Sequence, residues 1–151
     1  MNPEQIKNLL KQFDTTNDQK REEIWSKLRT LGEDVIPYFL DVLTQTTKWQ
    51  ARSDIVFHSI KYAQNNPEAF KIGLIAINDK SLRVKYRACQ LLAYSQNPDA
   101  LKTLRPFVAS AENNKIKADI KAAIDAIESK NHNYFFDRNH SGKVFWEVKN
   151  G

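Results

Sequence analysis

The stretch Asp79–Val108, DKSLRVKYRACQLLAYSQNPDALKTLRPFV, carries two helical patterns back to back, broken at Ser95-Gln96-Asn97-Pro98. In the first, Leu82, Tyr86, Cys89, Leu92 and Ala93 recur at three- and four-residue steps, the spacing that puts side chains on one helix face. In the second, Leu101, Leu104, Phe107 and Val108 do the same. Asn97 suits an N-cap, and Pro98 suits the first helical position, where a missing N–H costs nothing. Two antiparallel helices this short cannot bury both stripes between them. The pattern therefore predicts similar neighbours on each side.

The flanking sequence supplies them. Aligned on a basic residue in each first helix, Arg21, Arg52, Lys85 and Lys117 follow one another at 31, 33 and 32 residues. Three positions after each come Ile24, Ile55, Ala88 and Ile120, and seven positions after each come Leu28, Ser59, Leu92 and Ile124. The second helices keep step through Ile36, Phe39 and Leu43, then Phe70, Leu74 and Ile77, then Leu101, Leu104 and Phe107, with Pro37, Pro67 and Pro98 as landmarks. Registers that agree at one period mean helix pairs stacked on a continuous core.

The V/A-[KR]-x-x-A/I opening of each first helix, together with GEDVIPYFLDVL at Gly32–Leu43, resembles the HEAT-repeat family and its short bacterial relatives. The likeness runs over residues 17–128. It departs from the family at Ser59, polar at a core position, and in the last unit, which has no clear second helix. The fold this implies is mostly all-α, an α-α superhelix of HEAT-like hairpins over residues 1–130. Helices are expected at 3–13, 19–31, 34–44, 47–64 and 67–77, in the pair within 79–108, and at 114–130. The fourth of these should present Ile55, Phe57, Ile60 and Tyr62.

Residues 131–151 change period. Tyr134-Phe135-Phe136 and Val144-Phe145-Trp146-Glu147-Val148 flank turn-forming Arg138-Asn139-His140-Ser141-Gly142, which predicts a β-hairpin. Its aromatic face, through Phe135 and Trp146, should seal the end of the helical stack.

Composition narrows the chemistry. The net charge of +5 permits a polyanionic partner without requiring one. One cysteine excludes an internal disulfide framework, and Cys89 in an apolar stripe reads as a core residue. Four glycines, none in a run, leave no phosphate-cradling loop. The opening MNPEQIKNLLKQF lacks the features of a signal peptide and no window is apolar enough for a membrane span, so a cytoplasmic protein without a membrane partner is expected. Asp137-x-Asn139-x-Ser141-Gly142 matches the first half of a calcium loop, but Val148 stands where the bidentate Glu belongs, so an Asx-type turn is expected. His132 and His140 have no partners at metal-ligand spacing, and no metal or cofactor is expected. No set of residues forms a catalytic constellation, so the chain does not read as an enzyme.

The basic residues carry the functional question. Lys80, Arg83, Lys85 and Arg87 crowd the start of one first helix, with Lys48 and Arg52 one unit earlier and Lys115, Lys117 and Lys121 one unit later. Such positions align into a ladder in a stack of repeats. Either the ladder meets a partner, or its members bond loop carbonyls and acidic neighbours between repeats, as the family resemblance implies. Trp49, beside Lys48 and Arg52, is the exposed-aromatic candidate, while Trp25 flanks the core. The candidate partner-binding set is Trp49, Lys48, Arg52, Lys80, Arg83, Arg87 and Lys121. The resemblance implies a non-catalytic module that binds another protein, of the immunity, antitoxin or adaptor type. The alternative is a nucleic-acid-binding protein related to the HEAT-like DNA glycosylases, although this chain is short for one and lacks a matching catalytic aspartate motif.

Overall fold

Side-chain caps decide where the helices begin. In this computed structural model, which describes residues 1–149, the amide of Asn2 accepts from the Gln5 N–H while Gln5 accepts from Asn2, a reciprocal box that opens α1 (Pro3–Phe13). Asn17 opens α2 (Asp18–Leu28), and Lys48, with no side-chain cap, precedes α4 (Trp49–Ser59). Asn66 opens α5 (Pro67–Ala76), Ser81 opens α6 (Leu82–Ser95) and Asn113 opens α8 (Asn114–Glu128). Two further helices, α3 (Ile36–Leu43) and α7 (Leu101–Ser110), grow out of preceding 3₁₀ turns. At the first of these the chain turns at Gly32, whose φ of 59° lies where a Cβ is disfavoured.

The helices pack as two interlocked rows. α4 lies on α6 and α6 on α8, while α3 lies on α5 and α5 on α6; α1 covers α2 and α3, and α7 covers α8. The registers read from the sequence point into this core. Ile24, Ile55, Ala88 and Ile120 are buried, as are Leu28 and Leu92, while Ile124 is partly buried. Polar Ser59 is also fully buried, and its hydroxyl donates to the Ile55 carbonyl at 2.7 Å, which satisfies it within its own helix. The contact between α5 and α6 is closest at Gly73, where a Cβ would stand 2.5 Å from Leu91 Cδ2 and 2.9 Å from Leu92 Cδ2.

Three expectations are corrected. Phe57 faces outward, 45% exposed, because α4 buries Ala51, Ile55, Val56 and Ser59 instead. Leu82 is exposed, and α6 buries Val84, Ala88 and Leu91 alongside Cys89 and Leu92, since a central helix is covered on more than one face. The third concerns the tail. Among the described residues there is no strand, and the C-terminal β-hairpin does not form.

Local hydrogen bonding explains that outcome. Asn131 accepts from the Asn133 N–H and starts a 3₁₀ turn at His132–Phe135, directly after α8. Asp137 then gathers the turn: Oδ1 accepts from the Ser141 N–H and hydroxyl, and Oδ2 from the Gly142 N–H. Trp146 N–H donates to the Asn133 side chain at 2.8 Å, so a side chain takes the place of a ladder partner. The tail nonetheless covers the helices. Phe135 is fully buried beside Tyr86, and Trp146 packs on Tyr94, Phe135 and Phe136. Arg138 donates to the Phe135 carbonyl and to Asp119 of α8, tying the turn down. No helix among the described residues is long and apolar enough to cross a membrane.

Candidate partner-binding surface

The basic residues at the starts of α2 and α4 turn inward. Arg21, buried, donates from Nε to Asp54 at 2.8 Å, from Nη1 to the Thr15 carbonyl, and from Nη2 to Asp18. Arg52 repeats the arrangement one unit on: Nε and Nη2 donate to the two oxygens of Asp79, at 2.7 and 3.2 Å, and Nη1 donates to the Thr46 and Thr47 carbonyls. In both, one guanidinium gathers the loop before its own helix and reaches an aspartate of the following unit. A planar fork with several fixed N–H groups suits this task. Asp14 works in the opposite sense, accepting from the Thr47 N–H and hydroxyl and from the Lys48 N–H. Burial raises its pKa, but these bonds and the Lys48 charge outweigh that and hold the carboxyl below its ordinary range.

The sequence-predicted site residues do not converge. Arg52 is structural, and with Lys80 it lines an open depression over the loops around Thr46 and Asp79. Trp49 is 40% exposed at the start of α4, next to the exposed Lys48, and Arg83 is exposed on α6. Lys121 lies apart, in a shallow depression between α7 and α8 with Arg105 and Glu128. Arg87 lies beside an aromatic groove, against two of its lining residues, Phe57 and Gln90.

That groove, of about 410 Å³, runs between α2, α4 and α6 on one side and the tail on the other. Trp25 stacks on His58 with ring centroids 3.7 Å apart and planes at 9°, and the exposed Phe57 stands edge-on to His58. Gln90 of α6 and residues 146–149 complete the walls. The Arg87 guanidinium lies 4.6 Å from the Phe57 ring centroid and donates to Gln90 at 2.8 Å. Burial, with the charges of Lys61 and Arg87, drops the His58 pKa from 6.5 to about 3, so its ring is neutral at ordinary pH. Cys89 lies fully buried in the core, where burial pushes its thiol up and away from reactivity. The groove therefore offers flat rings, an apolar seat and cationic N–H donors, which is the chemistry of recognition.

Sequence reasoning placed Phe57 in the core and Trp25 at its edge. A signal for the groove did exist: Phe57 and Gln90 both stand five positions after the aligned basic residue of their units, and Trp25 four after Arg21. On a helix, position five points away from the buried positions three and seven, and position four lies between that outer side and the buried one, so Phe57 falls on the outer side of α4 and Trp25 at the edge of the core.

The turn at Asp137 is of the Asx type. Its carboxylate, held below the ordinary range first by the Ser141 hydroxyl and then by the backbone N–H groups, already has both oxygens turned to donors. It is covered by its own loop rather than by the helical core. His140 Nε2 lies 2.6 Å from Asp125 Oδ2 and its ring stacks on Tyr134, which fastens the turn to α8.

No family model, no curated protein and no solved structure matches the chain.

Proposed function

We propose that the chain is a HEAT-like α-solenoid and serves as a non-catalytic module that binds another protein, in an immunity, antitoxin or adaptor role. The observation that carries this reading is the preformed surface at Trp25, Phe57, His58 and Arg87, on packed helices rather than on loops. Exposed aromatic and arginine side chains held rigid in a groove are the usual energetic centres of protein interfaces. The repeated inward arginines Arg21 and Arg52 support the solenoid part, since each links its unit to the next.

The nucleic-acid alternative draws on the exposed Lys48, Lys80, Arg83 and Lys121. It is weakened by the commitment of Arg21, Arg52 and Arg138 to aspartates, which removes three charges from any phosphate-binding row. Purification of the tagged chain from its native cells after nuclease treatment tests the two. Retention of a stoichiometric protein partner is expected. Loss of all partners on nuclease treatment would transfer the reading to nucleic acid.

A further inference from the structure

Among the arginines that make close contacts within the fold, Arg87 differs from the others. Arg21, Arg52 and Arg138 each donate to an aspartate at 2.7–2.9 Å, so these guanidiniums are neutralised within the fold. Arg87 is half-buried, yet among the described residues no carboxylate oxygen lies within 4.0 Å of it. Its one acceptor is the neutral amide oxygen of Gln90. The guanidinium rests against Phe57 at 4.6 Å and Tyr86 at 5.7 Å, so two rings hold it in place. No buried side-chain nitrogen or oxygen among the described residues lacks a partner, so Arg87 Nε and Nη2, which bond nothing there, are not sealed from solvent. A charged fork, partly desolvated and fixed against rings, is prepared for a planar carboxylate.

The apolar half of the site adjoins it. Trp25 and Phe57 form one side of the groove and Trp146 the other, with Lys61 and Lys149 along it and Glu147 as the one acidic lining residue among those described. Burial first, and then the charges of Lys61 and Arg87, keep His58 neutral, and the carboxylate whose charge acts on Arg87, Asp54, is already held by Arg21. We infer that this groove binds an acidic segment of a partner protein, with an Asp or Glu carboxylate forked onto Arg87 and a neighbouring apolar side chain seated between Phe57 and Trp146. The inference rests on the protein-binding reading and specifies the chemistry of the partner.

The test uses the full ¹⁵N-labelled chain and two probes, acetyl-Phe-Asp-Leu-Glu-amide and its neutral counterpart acetyl-Phe-Asn-Leu-Gln-amide. The acidic probe is expected to shift the Trp25 indole and Arg87 Nε–H resonances with a dissociation constant of about a millimolar, a scale suited to one small peptide. The neutral probe should bind about five-fold or more weakly, as loss of a charge-assisted fork demands. Arg87→Gln should abolish the difference, and Arg87→Lys, which keeps the charge but not the fork, should shrink it. Equal binding of the two probes, or a preference that survives both substitutions, would overturn the assignment. So would a uridine decanucleotide that moves the same resonances at lower concentration than the acidic peptide does. A partner retained after nuclease treatment but indifferent to Arg87→Gln would overturn the groove while leaving the protein-binding module intact. Absence of any retained protein would instead count against the module itself.

Discussion

Arg52 shows how one residue can serve as a joint between units. Its guanidinium is nearly covered, holds both oxygens of Asp79 and gathers two carbonyls of its own preceding loop. Arg52→Ala leaves Asp79 Oδ2 and those carbonyls without their donor, with only the Ser81 N–H still on Asp79 Oδ1, and breaking a buried pair on one side costs about 3–5 kcal/mol. A urea midpoint lowered at unchanged slope is the expected result, and Arg52→Lys should recover only part of it because an ammonium cannot fork. His58 carries a second prediction, on pH. Its folded pKa of about 3 lies below the unfolded 6.5, so between those values the unfolded chain binds the extra proton and stability falls as pH falls. From pH 6.5 to pH 5, above the ordinary carboxylate range, the loss should be about 1.6 kcal/mol. His58→Phe keeps a ring on Trp25 and should flatten that slope in denaturant melts taken across the interval. An unchanged slope would mean that His58 accepts its proton freely in the folded state.

At the scale of elements, the crossing of α5 on α6 depends on a missing side chain. Gly73→Ala would gain about 1 kcal/mol of helix propensity. Against this, the new Cβ meets Leu91 and Leu92 at 2.5 and 2.9 Å, and both leucines are fully enclosed, so neither can swing away. Overpacking costs about 1–3 kcal/mol, so a net loss is expected in thermal melts. The tail is an element of a different kind, fastened by side chains. Asp137→Ala should speed hydrogen exchange at the Ser141 and Gly142 amides, which donate to its carboxylate, while calcium should leave the native protein's exchange unchanged. Removal of the chain after Gly142 uncovers Tyr94, Phe135 and Phe136, all of which contact Trp146. A lower melting temperature and increased binding of a hydrophobic dye are expected from that truncation.

For the whole molecule, the distribution of charge matters more than its sum. The net charge of +5 suggests affinity for polyanions, but Arg21, Arg52 and Arg138 are tied to aspartates, and the free lysines lie on separate surfaces. Binding to a random duplex should therefore be weak, with a shallow dependence on salt, because few phosphates are met at once. A steep decline of affinity across 50–200 mM salt, with the slope of about six or more phosphate contacts, would contradict this.

The sequence by itself determined the helices and the core. Positions three and seven after Arg21, Arg52 and Lys85 are buried in the fold, Ser59 included, because helical periodicity and burial are local in origin and written every three or four residues. It also indicated that the tail would cap the stack, since Phe135 and Trp146 had to bury somewhere. Tertiary structure decided the rest. Whether Arg52 faces a partner or Asp79 depends on a loop 27 residues away. Whether the aromatic tail becomes a hairpin depends on Asn133 and Asp137 taking the main-chain donors that a ladder would need. That Phe57 faces outward is written in its place opposite Ile55 and Ser59 on α4. But that Arg87 meets Phe57, Tyr86 and Gln90 and, among the described residues, no carboxylate within 4.0 Å was settled only when α4 packed on α6, because pairing is a property of neighbours that a single helix does not contain.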